Sequence, residues 1–218
     1  MRIVIAGGHG RIALRLERLL AARGHRPVGI VRTPGQAADL RAAGAEPAVL
    51  DLESASPDEV VAVLRDADAA VFAAGAGPGS GADRKDTVDR AAAVLFADAA
   101  ERAGVRRHVV VSSMGADANH QGEEVFDAYL RAKGAADDAV RSRTGLDWTI
   151  LRPGMLTEDA GTGLVRLAAS TGRGPVPRDD VAAVLAELLE TPGTAGLTLE
   201  LVGGSTPFDV AVRDVAGN

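Results

Sequence analysis

The feature that most narrows the fold lies at the amino end. The apolar run Arg2–Ala6 breaks into Gly7-Gly8-His9-Gly10-Arg11-Ile12-Ala13, and a leucine-rich segment at helical spacing follows. A strand, a tight turn and a helix are predicted in succession. Glycine suits a backbone that turns with positive φ and admits a pyrophosphate without a Cβ in the way. The opening helix adds unpaired N–H groups and partial positive charge. The spacing reads either as Gly8-x-Gly10-x-x-Ala13 or as Gly7-x-x-Gly10-x-x-Ala13, and both put Gly10 under the phosphates. Gly7, Gly8, His9, Gly10, Arg11 and Ile12 are therefore the first candidates for dinucleotide contacts.

Downstream, short β-branched runs alternate with alanine- and leucine-rich stretches, the pattern of repeated βα units and a mainly parallel sheet. Strands are predicted at Arg2–Ala6, Pro27–Val31, Glu46–Leu50, Ala69–Ala73, His108–Ser112, Trp148–Arg152 and Leu197–Val202. Helices are predicted near 11–23, 36–43, 57–65, 85–103, 125–143 and 178–190. Ser56-Pro57 caps one helix, and Gly24 and Gly104 stop two others. The expected fold is α/β: a single-domain, Rossmann-like, doubly wound parallel sheet with helices on both faces, spanning residues 1–218. After residue 152 the pattern loosens, so 154–177 is expected to be an irregular pocket wall or lid and 203–218 a tail. The glycine-rich loop 75–81 follows a predicted strand and is expected to form a crevice rim.

The sequence also excludes chemistry. With no cysteine and four scattered histidines, neither thiolate sites nor a helix-spaced zinc pair can form, and no catalytic metal is expected. A formal charge of −6 without a basic run argues against nucleic acid. No stretch approaches the 18 or more apolar residues of a membrane helix, and the amino end lacks a signal-peptide pattern, so a cytoplasmic protein is expected. Neither a P-loop nor a Gly-x-Ser-x-Gly elbow is present. The adjacent acids Glu123-Glu124, Asp137-Asp138 and Asp179-Asp180 read as solvated faces and helix ends, since neighbours on a helix point about 100° apart. The expected partner is a small-molecule substrate; self-association is left open.

Strand ends in a doubly wound sheet converge on one crevice. The second strand ends in Arg32, where an NAD-binding fold usually carries an acid for the ribose. A guanidinium suits a 2′-phosphate, as does that of Arg11 in the loop, so NADP is expected in preference to NAD. Asp51 follows the third strand, placed to accept from an adenine amino group. Ala73, Ala74 and Gly75 follow the fourth and offer bare backbone.

The chain has 22 arginines, two lysines (Lys85 and Lys133) and one tyrosine, and Lys133 lies four residues after Tyr129 within a predicted helix. That spacing puts phenol and ammonium on one face. Reduction of a carbonyl needs a proton for the developing alkoxide, and a nearby ammonium favours ionisation of a phenol. Upstream, the strand ending in Ser112-Ser113 brings a hydroxyl to the same sheet edge to orient the carbonyl, with Ser113 favoured over Ser112. Phe126 and Met155 are candidate pocket residues or core.

Together, GGHGRIA, the Arg32 strand end, VVVSSMG, YLRAK, LDWTILRPG and PRDDVAAVL resemble the short-chain dehydrogenase/reductase superfamily, specifically its small atypical NAD(P)-binding members, over about residues 1–202. The resemblance implies that Gly7, Gly10 and Ala13 form the dinucleotide loop, Arg32 meets a 2′-phosphate, and Asp51 and Leu52 neighbour the adenine. It implies Ser113, Tyr129 and Lys133 as the catalytic set, and the turn at Arg152-Pro153-Gly154 as a contact for the nicotinamide amide. The implied activity is NADP(H)-dependent hydride transfer with a small carbonyl or alcohol. The alternatives are a non-catalytic NADP(H) sensor similar to NmrA-like regulators and a flavin- or biliverdin-type reductase. Nucleotide-sugar epimerases share the motifs but carry a larger C-terminal substrate domain than the chain after Arg152 allows.

Overall fold

The structure, a computed structural model, describes residues 1–77 and 79–217. Six strands, β1 (Arg2–Ala6), β2 (Arg26–Val31), β3 (Glu46–Val49), β4 (Ala69–Phe72), β5 (Arg107–Val111) and β6 (Asp147–Pro153), pair in parallel in the order β3-β2-β1-β4-β5-β6. This is the doubly wound Rossmann order, and its reversal between β1 and β4 opens a crevice at the strand ends. Between the strands run α1 (Arg11–Ala22), α2 (Ala37–Ala42), α3 (Pro57–Leu64), the short α4 (Ala82–Arg84), α5 (Ala93–Arg102) and α6 (Val125–Arg141).

Alternation along the strands splits the core between the two faces of the sheet. Ile3 and Ile5 of β1 pack with Val71 and Val109 on one face, while Val4, Ala6, Phe72 and Val110 lie on the other. The α3 start follows its local chemistry: Ser56 Oγ accepts from the Glu59 N–H at 3.3 Å, the Glu59 carboxylate accepts from the Ser56 N–H at 2.8 Å, and Pro57 opens the helix.

Two expectations are corrected. The segment after residue 152 is largely ordered into elements. It forms β7 (Met155–Thr157), β8 (Leu164–Ala168), β9 (Pro175–Pro177), α7 (Arg178–Glu190), β10 (Leu197–Gly203), β11 (Thr206–Pro207) and α8 (Phe208–Ala216). β10 extends the sheet in parallel beside β6, β8 pairs antiparallel with β10, β11 pairs with β8, and β7 with β9 makes a separate parallel pair. Far from being a loose tail, α8 buries Ala211 and Val212 in the same core as α7; Asn218 lies outside the described residues. β10 and α7 fall where the sequence predicts them, but β7, β8, β9 and β11 are two to five residues long, too short to carry a period. The second correction concerns the helix expected at 85–103, which begins at Ala82 and passes through a π-helical stretch, Lys85–Ala92, before α5.

Candidate functional site

The glycine loop turns where β1 ends. Gly7 has φ +78°, and a Cβ there would lie 2.6 Å from Ala74 Cα, so β4's end closes directly on the loop. Gly10 donates its N–H to the Gly7 carbonyl at 2.8 Å and starts α1 with no side-chain cap, leaving the first-turn N–H groups free for an anion. The spacing in use is therefore Gly7-x-x-Gly10-x-x-Ala13. Gly8 serves a different need: its absent Cβ would lie 2.7 Å from Gly29 Cα of β2. Bare backbone beside an uncapped 12-residue helix fits a dinucleotide diphosphate.

Two cavities meet at this loop. The first, 260 Å³, is lined by Gly7, His9, Gly10, Arg32, Asp51, Leu52, Ala73, Ala74 and Gly75, together with Glu53 and Arg84. Glu53 gathers the cations: Arg84 donates to it, Thr87 Oγ1 donates at 2.7 Å, and Arg32 Nη1 lies 3.9 Å away. The hydrogen bonds from Arg84 and Thr87 hold the Glu53 carboxyl below the usual carboxylate range. His9 Nε2 is 2.7 Å from Asp39 Oδ2.

The second cavity, 610 Å³, shares Gly10 and Ala73–Ala76 with the first and adds Ile12, Ser112, Tyr129, Lys133 and Pro153. Lys133 is 5% exposed and fixed: its Nζ donates to the Val111 carbonyl at 3.2 Å and the Ala74 carbonyl at 3.4 Å, and lies 3.3 Å from Asp89 Oδ1. Asp89 Oδ2 accepts from the Ala76 N–H at 3.2 Å. The π-helical stretch turns both Lys85 and Asp89 to this cavity, a use found at functional sites generally. Lys85 Nζ stands 5.5 Å from the Tyr129 ring centre and Lys133 Nζ 5.9 Å. Both lysines of the chain thus flank its one tyrosine.

Behind the wall, Ser112 Oγ donates to Asp137 Oδ2 at 2.9 Å, and Arg152 donates to the same oxygen from Nε at 2.9 Å and Nη2 at 2.7 Å. Burial raises the Asp137 pKa, while Arg152 and Ser112 oppose the shift. With its proton committed to Asp137, Ser112 presents lone pairs to the cavity.

The NAD(P)H-binding family matches residues 7–192. The chain belongs to that family. Its relatives include YhfK of Bacillus subtilis, named an uncharacterized sugar epimerase, which is 36% identical over 98% of this chain and 99% of its own length. A solved structure from Bacillus halodurans, provisionally named an NAD-dependent epimerase/dehydratase, superposes with a TM-score of 0.90 at 38% identity, covering 98% of this chain and 99% of that one. The anaerobilin reductase ChuY of Escherichia coli O157:H7 superposes with a TM-score of 0.78 at 26% identity, over 93% and 97%. This is an NAD(P)H-binding oxidoreductase and epimerase family of the atypical short-chain type.

Within this NAD(P)H-binding fold, the candidates Gly8, Arg11, Ser113 and Gly154 are among those outside both cavity linings. Gly8 packs on β2, as above. The Arg11 guanidinium, 70% exposed, is held by Glu158 at 2.8 Å and does not join Arg32; Arg84 stands there in its place. Ser113 Oγ donates to the Met114 carbonyl at 3.3 Å, and Ser112 is the serine that lines the second cavity. Gly154 lies where a Cβ would meet the Gly174 carbonyl at 2.2 Å, so it is a packing residue at the β6–β7 junction. Phe126 lines the cavity, but Met155 is 68% exposed and Leu156 takes its place.

Of the acid pairs read as solvated, Asp137 is fully buried, and Asp180 (2% exposed) accepts from the Thr162 and Gly163 N–H groups. Pro78 of the rim loop lies outside the described residues. The sequence reading missed Lys85, Asp89 and Arg84. For Lys85 a signal existed, the scarcity of lysine itself. Among the described residues no helix is long and apolar enough to cross a membrane.

Proposed function

We propose that the chain is an NADP(H)-dependent oxidoreductase that exchanges hydride between nicotinamide and a small carbonyl or alcohol, with Tyr129 as general acid and base. The observation that carries this reading is the phenol flanked by two buried ammonium groups in a cavity continuous with the glycine loop. Gly10 and the free N–H groups of α1 would hold the diphosphate. Asp51 and Leu52 would border the adenine, and Arg32 with Arg84 would meet a 2′-phosphate in exchange for Glu53. Ser112, Lys133 and Pro153 would border the nicotinamide end.

The bound nicotinamide supplies the hydride. Tyr129 gives its proton to the carbonyl oxygen, and Lys133, held by two backbone carbonyls and Asp89, stabilises the charge that develops on the phenol oxygen. Ser112, with acceptor lone pairs facing the cavity, orients the alcohol form.

General acid catalysis contributes about 10²–10⁴-fold. Tyr129→Phe is therefore expected to bind NADPH as the parent does, by fluorescence titration, and to reduce a panel of aldehydes and ketones at least 100-fold more slowly. Full activity in that variant overturns the role. The likeness to ChuY favours a second reading, a bilin- or flavin-type reductase in which solvent supplies the proton; flavin reduction unchanged by Tyr129→Phe would establish it.

A further inference from the structure

Lys85 flanks the phenol but takes no step in the mechanism above, and it lies in the wall of the reaction cavity at 8% exposure. An ammonium is seldom buried without a partner, because desolvation disfavours the charge. Beyond the Tyr129 ring 5.5 Å away, its Nζ makes one hydrogen bond among the described residues, to the Gly77 carbonyl at 2.9 Å, for a group with three donors. The one acid in the same cavity lining, among the described residues, is Asp89, and it is already engaged by Lys133 and by the Ala76 N–H. Among the described residues no carboxylate oxygen lies within the 4.0 Å of an ion pair from Lys85, whereas Lys133 has Asp89 at 3.3 Å.

The charged side chains lining the cavity are Lys85, Lys133 and Asp89, which leaves one positive charge in excess beside the phenol. The outer wall is apolar: Ile12, Val125, Phe126 and Leu156, with the Phe126 ring stacked 5.8 Å from that of Tyr129.

We infer that the second cavity takes an oxo acid, or the matching hydroxy acid, whose carboxylate pairs with Lys85 while its carbonyl meets Tyr129 and its apolar body lies against Phe126 and Leu156. The inference deepens the oxidoreductase reading and rests on it for the carbonyl. A single excess charge at a compact ammonium matches a monoanion; a doubly charged phosphate would leave negative charge uncompensated against an apolar wall. In the reduction, the carbonyl carbon gains a hydride from the reduced nicotinamide, its oxygen gains the Tyr129 proton, and the nicotinamide leaves oxidised. Solvent then reprotonates the phenolate, and the carboxylate is unchanged.

The test is a calorimetric titration of the NADP⁺-loaded protein with 3-phenylpropionate and with its neutral isostere 3-phenylpropanamide. The acid is expected to bind at least tenfold more tightly than the amide, with the difference shrinking as salt is raised. Lys85→Met is expected to equalise the two and Lys85→Arg to keep most of the difference, with the Kd for NADP⁺ unchanged in both. Equal binding of acid and amide by the parent protein overturns the proposal whether or not the variants fold, as does a folded Lys85→Met that still prefers the acid. Should NADP⁺ not bind, the acid-to-amide ratio of the unloaded protein still decides the site. Selective acid binding with no reduction of phenylpyruvate would count against the redox reading and leave the carboxylate site standing.

Discussion

The two cavities share Gly10 and the Ala73–Ala76 backbone, yet they handle charge in opposite ways. In the first, the cations are guanidinium groups in water, with Arg32 and Arg84 side chains 53% and 40% exposed around Glu53. In the second, they are ammonium groups out of water, and the Lys133–Asp89 pair is 6% and 0% exposed. Exposed pairs contribute about 0–1 kcal/mol, so Glu53 can release its arginines at little cost. Buried charges are fixed by the fold and cannot be exchanged so freely. The first cavity is thus suited to binding, and the second to holding groups in position for chemistry.

The contrast can be probed most strongly under the shared loop. Glu17 of α1 is fully buried beside Gly8 and Gly29, and neither carboxylate oxygen has a hydrogen-bond partner among the described residues. Burial raises its pKa from 4.5 to about 8, with the Arg18 charge opposing the shift. The folded chain therefore keeps a proton that the unfolded chain releases near pH 4.5. Stability should fall as the pH rises from 4.5 towards 8, by up to roughly 4 kcal/mol. Urea unfolding across that range is expected to show the decline in the parent and a flatter profile in Glu17→Gln. A parallel decline in both would trace it to other groups and overturn the assignment to the buried Glu17 carboxyl.

A smaller effect separates the two walls. Asp137→Ala leaves Arg152 and Ser112 without their shared acceptor and is expected to cost about 3 kcal/mol. Glu53→Ala should cost less than about 1 kcal/mol. Equal losses in urea unfolding would erase the distinction between buried and exposed networks.

The smallest effect concerns the cofactor. Arg32→Ala is expected to raise the Kd for NADPH about tenfold, near 1.4 kcal/mol, and to leave NADH unchanged. Combining it with Arg84→Ala should raise the NADPH value further. Equal weakening of both cofactors would remove the 2′-phosphate from this cavity.

Much of this was legible beforehand, for a local reason. β1 to β6 lie within a residue or two of their predicted bounds because short β-branched apolar runs and the glycines that break them are properties of neighbouring residues. The helical spacing of Tyr129 and Lys133 held for the same reason. The π-helical stretch was not legible, since Lys85 and Asp89 read equally well on an α-helix. Nor was β8, whose partner β10 lies some thirty residues further along the chain. Arg11 illustrates the limit within a motif: the glycine spacing placed its backbone, but Glu158, far away in sequence, took its side chain.

From its residues alone, this chain specified a doubly wound sheet, a glycine turn ahead of an uncapped helix and a phenol–ammonium pair, because each is written in spacings of two to seven residues. The folded molecule alone decided which serine meets the cavity, which arginine joins Arg32, and that the second lysine stands beside the phenol with no ion-pair partner among the described residues. Those outcomes depend on burial and on contacts between segments tens of residues apart, and no local pattern encodes either.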